Sequence, residues 1–351
     1  MVDFVKISTR PGKRGTTEVY PRLRIMNSKD LMIRGGDFYA IWLEDRGIWS
    51  TNEMDVVDLI DDAIEEFYNT HHEEIPSMHM LKMGDAETGM IDAWHRYCQR
   101  QMRDNYVPLD EHLVFANSPV RKEDYASKRL PYPLEAGDFS SWDRLIGTLY
   151  SEEERHKLEW AIGSIVSGDS KKLQKFLVLY GAQGTGKSTI LNVIEKLFAG
   201  YCSIFDAHAL GSASNQFALE AFRSNPLVAI QHDGDLSRIE DNTRLNSLVS
   251  HEKMTVNEKF KSTYEQDFKA MLFMGTNKPV RITDAKSGLL RRLIDVSPSG
   301  NTLNRRDYEK AVGMIPFELG AIASHCLDVY TQDPHYYDDY TPLGMVEASN
   351  D

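Results

Sequence analysis

Phe176-Leu-Val-Leu-Tyr180, followed at once by Gly181-Ala-Gln-Gly184-Thr-Gly186-Lys187-Ser188-Thr189, decides the fold. A short apolar run closed by a glycine reads as a buried strand. The residues after it contain a full match to GxxxxGK[ST], and Ile190, Leu191, Ile194 and Leu197 then recur at helical spacing. Strand, glycine-rich loop and helix, in that order, is the context in which the string cradles phosphates. The glycines let backbone N–H groups turn inward, and the helix N-terminus adds partial positive charge. Gly181, Ala182, Gln183, Gly184, Thr185, Gly186, Lys187, Ser188 and Thr189 are therefore the expected triphosphate-binding residues. Lys187 would reach the β- and γ-phosphates, and the Ser188 hydroxyl would ligate the metal. The expected cofactors are ATP and Mg²⁺.

Such a loop needs a carboxylate on a neighbouring strand to share the metal, and hydrolysis needs a group that orients water. Leu227-Val-Ala-Ile-Gln-His-Asp233-Gly-Asp235 supplies an apolar strand that ends in two acids. Asp233 is assigned to the Mg²⁺ shell and Asp235 to positioning the water, although the residues alone allow the roles to be exchanged. Acids flanking a glycine also mark ordinary turns. Their place after a phosphate loop favours the metal reading.

Working outward, short apolar runs alternate with helical ones: Phe176–Tyr180, a helix from Lys187, Leu227–Ile230, a helix near 239–250, and Met271–Met274. Buried strands alternating with helices imply a parallel sheet covered on both faces. Residues 166–300 should thus form an α/β P-loop core. Upstream, residues 1 to about 30 read as an extended or loosely ordered lead. Phe38–Leu43 and Ile48-Trp49 suggest a hairpin, and Asn52–Asn69 a strong amphipathic helix. Residues 1–110 are expected to form a smaller, mostly helical α+β domain. Residues 111–165 read as a helical connection, and 301–351 as a C-terminal helical segment. His71-His-Glu-Glu74 is better read as a solvated helix end than as a metal site, because adjacent histidines face apart and no further ligands follow at helical spacing.

The chain has 351 residues, more than one average domain, and carries a formal net charge of -13. That acidity argues against a protein coated in nucleic acid but permits a local basic grip. No apolar run is long enough to suggest a membrane span, and no apolar segment follows the basic N-terminus as in a secretory signal. Cys98, Cys202 and Cys326 form no CxxC pair, which suits a reduced, cytoplasmic compartment.

The motif order extends further: Met271-Leu-Phe-Met-Gly-Thr-Asn277-Lys-Pro279 follows the acidic strand, and Arg291-Arg292 follows that. This order resembles the superfamily 3 helicases, the AAA+ motors of small DNA viruses, and is most similar to their phage, plasmid and poxvirus primase-helicase branch. The resemblance covers about residues 110–325. It implies an AAA+ motor domain that hydrolyses ATP at subunit interfaces of a homo-oligomer, a hexamer in the family, and acts on single-stranded or forked DNA in replication. Asn277 would be the sensor that hydrogen-bonds the γ-phosphate or its water. One of Arg291 and Arg292, with Arg292 the first choice, would be the finger reaching the neighbouring subunit's ATP. Lys259-Phe260-Lys261, in an alternating stretch from Met254, resembles the DNA-contacting hairpin of parvovirus helicases. Six copies would place about twelve lysines in one channel, enough to grip a phosphate backbone.

Departures from the family matter too. The acidic strand ends in aspartates where relatives more often carry glutamate, which leaves the catalytic base open. No primase domain precedes residue 110, and the chain stops at Asp351 where relatives usually continue into a winged-helix region. Either a separate primase or polymerase works with this protein, or the chain is a truncated form. A phage origin would place it in the host cytoplasm. The competing reading is an ATP-switched replication initiator or assembly ATPase that binds DNA or protein without unwinding.

Overall fold

The computed structural model describes all residues except 1, 24–27, 34–38, 76, 101–106, 213, 237–238, 240, 258–262, 279–287 and 343–351. The chain divides into two compact units, one made of Met1–Leu109 with Val120–Lys128, the other of Asp110–Pro119 with Arg129–Asp351.

The first unit contains strands β1 (Val5–Pro11), β2 (Thr17–Leu23), β3 (Leu31–Ile33), β4 (Tyr39–Leu43) and β5 (Ile48–Ser50), helix α1 (Glu53–His71), strand β6 (Met78–Met80) and helix α2 (Met90–Arg100). The expectation of a mostly helical domain is corrected here, since described strands outnumber α-helices six to two. The polar lead is a β-hairpin: Val5 pairs with Leu23 and Thr9 with Val19. Its period-two signal is short, with Val5, Ile7 and Val19 turned into the core and charged residues on the other face. The Tyr39–Leu43 and Ile48–Ser50 hairpin and the long helix lie where their patterns place them, with the Asn52 side chain capping α1.

The second unit is built on α3 (Ser140–Leu149), α4 (Glu152–Ser167), β7 (Phe176–Tyr180), α5 (Lys187–Leu197), β8 (Cys202–Ile204), α6 (Ala207–Leu210), β9 (Val228–Gln231), α7 (Thr243–Val249), β10 (Lys253–Val256), β11 (Tyr264–Asp267), β12 (Met271–Thr276), β13 (Leu293–Val296), α8 (Arg305–Met314) and α9 (Leu319–Gln332). Five strands form one parallel sheet in the order β13-β7-β12-β9-β8. The pleat sends alternate residues to opposite cores. Leu177 and Leu179 of β7 and Phe273 of β12 join a core with α3, α4, α5 and α9. Phe176, Val178, Leu272 and Met274 join the other, with α6 and α7. This two-sided burial explains why these strands are apolar runs rather than alternating ones.

Helix α4 is buried at every position from Lys157 to Val166 and packs along α9. The two helices approach closely at Gly163, where a Cβ would stand 2.0 Å from the carbonyl oxygen of Cys326. Strands β10 and β11 pair antiparallel, Lys253 with Asp267 through Val256 with Tyr264, as a separate two-stranded ribbon. Lys259, Phe260 and Lys261 lie outside the described residues. Among the described residues, no single helix is long and apolar enough to cross a membrane.

Candidate nucleotide site

The strand order brings the motifs together. Strand β12 is inserted between β7 and β9, so whatever follows β12 emerges between the ends of the other two. Register makes this quantitative: Thr276 pairs with Tyr180 on one side, and Met274 pairs with Gln231 on the other. Continuing the second register by two residues sets Asp233 level with Thr276. Gly181, Asn277 and Asp233 thus leave the sheet together at the carboxyl ends of its strands, where ligands of open parallel sheets bind. Backbone bonds fix the alignment, from Gly181 N–H to the Thr276 carbonyl at 3.2 Å and from Gly234 N–H to the Gly275 carbonyl at 2.8 Å.

A cavity of about 760 Å³ opens at this point, lined by Gln183–Gly184, Gly186–Thr189, Asp233 and Asn277. Gly186 holds φ at +96°, a left-handed conformation that suits glycine, and a Cβ there would strike the Leu149 side chain at 2.7 Å. The turn releases the chain into α5, whose first residue is Lys187. The Lys187 ammonium donates to the carbonyls of Gly181 at 2.6 Å and Ala182 at 2.9 Å. Partial burial pushes its pKa down, while the Asp233 carboxylate pulls it up. The Thr185 hydroxyl donates to the Ala182 carbonyl and closes the loop on itself. Ser188 and Asp233, both exposed to the cavity, are oxygen donors of the kind Mg²⁺ takes alongside phosphate.

The remaining predicted residues are placed differently. Asp235 is not among the cavity-lining residues; it pairs with the Lys278 ammonium at 3.1 Å. Arg291 and Arg292 precede β13, whose Leu293 pairs with Phe176 at the far end of β7. A five-residue strand at ~3.3 Å per residue puts them roughly 15 Å from the phosphate loop of their own chain. The two arginines also differ from each other. Arg292 is buried, its Nε donating to the Ser250 hydroxyl and its Nη1 to the Gly288 carbonyl, both at 2.8 Å. Arg291 is exposed, and its carbonyl accepts from Lys175.

A family described only as of unknown function (DUF5906) matches residues 179–292. That segment runs from the end of β7 to Arg292 and so contains the phosphate loop, Asp233 and Asn277. No curated protein matches. Among solved structures, the chain is similar to "The apo structure of NrS-1 C terminal region (305-718)", with 13% identity, a TM-score of 0.53, and coverage of 92% of this chain and 71% of that one. It is similar also to "The A form apo structure of NrS-1 C terminal region-CTR", at 12% identity and a TM-score of 0.53, covering 92% and 72%. At such identity the likeness is one of fold.

The cavity also has walls that sequence patterns do not reveal. Leu149, His232, Thr302, Leu303 and Tyr308 line it. Tyr308 stands on α8, begun by Asn304, whose side chain accepts from the Asp307 N–H. Its hydroxyl meets that of Thr189 at 2.8 Å. His232 faces Glu195 of α5 at 3.5 Å. Only the asparagine cap of α8 is visible in the sequence, and a cap signals where a helix starts, not what it faces.

Proposed function

We propose that this protein is an ATP hydrolase of the AAA+ type that works as a ring-shaped DNA motor. The supporting observation is that the phosphate loop, Asp233 and Asn277 line one cavity at the carboxyl edge of the sheet. In this reading Lys187 and the backbone N–H groups of Gly184–Thr189 bind the β- and γ-phosphates, helped by the N-terminus of α5. Ser188 and Asp233 hold Mg²⁺, which when bound neutralises charge developing on the phosphates. The Asn277 amide orients the γ-phosphate or the attacking water. Asp235 is the second candidate for that water, its charge balanced by Lys278. The nucleoside then leaves the loop past Thr189, towards Leu149, Leu303 and Tyr308.

The motif order and its resemblance to superfamily 3 helicases carry the step from ATP hydrolase to DNA motor. ATP turnover should rise on adding single-stranded DNA, particles in an ATP analogue should be oligomeric, and Lys187→Ala should abolish hydrolysis with an unchanged circular dichroism spectrum. Absence of both DNA stimulation and an oligomer would overturn the motor reading. A strand-displacement assay then separates unwinding from an ATP-switched initiator.

A further inference from the structure

The β10–β11 ribbon has two roots: Phe268–Ala270, which runs directly into β12, and a two-residue knuckle, Ser250-His251, which follows α7. Ser250 closes α7, and His251 turns the chain into β10 through a positive φ of 58°. A non-glycine residue in that region is uncommon and is held there by its surroundings. The holding groups are visible. The His251 ring lies between two backbone carbonyls, Nδ1 at 2.9 Å from Phe268 and Nε2 at 2.8 Å from Leu173. The Ser250 hydroxyl accepts from Nε of the buried Arg292 at 2.8 Å.

Each partner leads into a different strand. Leu173 precedes β7, which runs into the phosphate loop. Phe268 precedes β12, which ends at Asn277. Arg292 precedes β13 and is the neighbour of the exposed Arg291. One knuckle therefore touches the chain just before three strands, β7, β12 and β13, though not β9, which leads to Asp233, and it is one of the two roots of the ribbon.

We propose that Ser250-His251 is the transmission joint between the ribbon and the nucleotide site, with Arg292 as a positioning residue that ties Arg291 to it. The inference rests on the motor reading, in which the ribbon contacts DNA. A load on the ribbon leaves it at its two roots, the knuckle and Phe268–Ala270, because among the described residues β10 and β11 pair only with each other. The knuckle passes it towards β7, β12 and β13 through its contacts with Leu173, Phe268 and Arg292. Arg292 cannot serve as both a strut and a mobile finger, since its guanidinium is already committed to Ser250 and Gly288.

The test measures ATP turnover with and without single-stranded DNA, and DNA affinity separately, in the full chain. Ser250→Ala removes the acceptor for Arg292, and His251→Gln removes the ring that lies between the Leu173 and Phe268 carbonyls. In each, the ratio of DNA-stimulated to basal turnover should fall about three- to tenfold, the range that removing one hydrogen bond covers. Basal turnover and DNA affinity should stay within about twofold. Ser250→Thr, which keeps the hydroxyl, should restore the ratio. An unchanged ratio in both variants overturns the joint while leaving the motor reading intact. So does a parallel loss of basal turnover, DNA affinity and stimulation, or failure of Ser250→Thr to recover coupling. Absence of DNA stimulation in the unmodified protein overturns the motor reading itself, and the joint with it.

Discussion

The hydroxyls of Thr189 and Tyr308 stand 2.8 Å apart although 119 residues separate them in the chain. The contact joins the last residue of the glycine-rich loop to α8 and makes that helix a wall of the cavity that the loop lines. Tyr308→Ala should therefore weaken ATP binding about two- to tenfold, the worth of one aromatic contact. Binding of inorganic tripolyphosphate should be unaffected. Fluorescence titration of both ligands decides the matter, and equal weakening of the two would make Tyr308 a support for the loop rather than for the nucleoside.

The Thr189–Tyr308 pair also marks where sequence reading stops. The phosphate loop, the acidic strand and the strand before Asn277 are legible because each is a local pattern, an apolar run ending in residues with distinctive chemistry. The parallel sheet follows from their alternation with helices. Tyr308 and Leu149 reach the cavity only through the packing of α8 and α3, which no spacing encodes. Strand β8 is hidden because three residues on a sheet edge, with Ile204 exposed, carry no period. Arg291 and Arg292 are chemically identical neighbours, and one turn of backbone exposes the first and buries the second. The lead hairpin is masked because Val5, Ile7 and Val19 are too few to outweigh Pro11, Gly12 and the five basic residues from Lys6 to Arg22.

Stability should depend on a charge cluster centred on the buried Glu159. Glu159 of α4 is 3% exposed and accepts from Arg155 at 2.6 Å and from Trp142 Nε1 at 3.1 Å, with His325 Nε2 at 2.6 Å. Burial alone would raise its pKa, but His325 and Arg155 outweigh that and hold it below the ordinary carboxylate value. A depressed folded-state pKa contributes stability that is fully present above the unfolded value of about 4.3 and is lost as pH falls through the folded one. Denaturant unfolding should thus show a steep loss of stability below about pH 4, shallower in Glu159→Gln. Glu159→Ala, which removes a buried acceptor shared by Arg155, Trp142 and His325, should cost about 1–3 kcal/mol. An acid limb of the same slope in Glu159→Gln would remove Glu159 from this role.

Lys259 and Lys261 are predicted to form the basic grip on DNA. Replacing both by alanine should spare basal ATP turnover and weaken binding of single-stranded DNA of every sequence. It should also flatten the salt dependence by about 0.7 log–log units for each phosphate that is no longer neutralised. Filter binding across a salt series measures the affinity and its salt slope, and a turnover assay without DNA measures the basal rate. Unchanged affinity would move the grip elsewhere, the next region to test being the cations Lys172, Lys175 and Arg291 around a second cavity of about 710 Å³.

Under the proposed motor reading, the exposed Arg291, rather than the buried Arg292, is the candidate to act on another subunit. Burial and the adjacent Arg291 charge both disfavour the charged form of Arg292, which is nonetheless held by two intrachain acceptors. Pulling it out would leave Ser250 and Gly288 to be satisfied anew. Arg291 lies far from its own phosphate loop, so any charge it lends to hydrolysis must go to a neighbouring chain. Arg291→Ala should lower ATP turnover roughly 10³-fold or more with ATP affinity within about twofold. Mixing it with Lys187→Ala should restore activity, because a mixed ring contains interfaces where an intact loop meets an intact Arg291. Recovery on mixing separates a contribution across subunits from one within the chain. If the mixture stays as inactive as its components, Arg291 is not the completing charge.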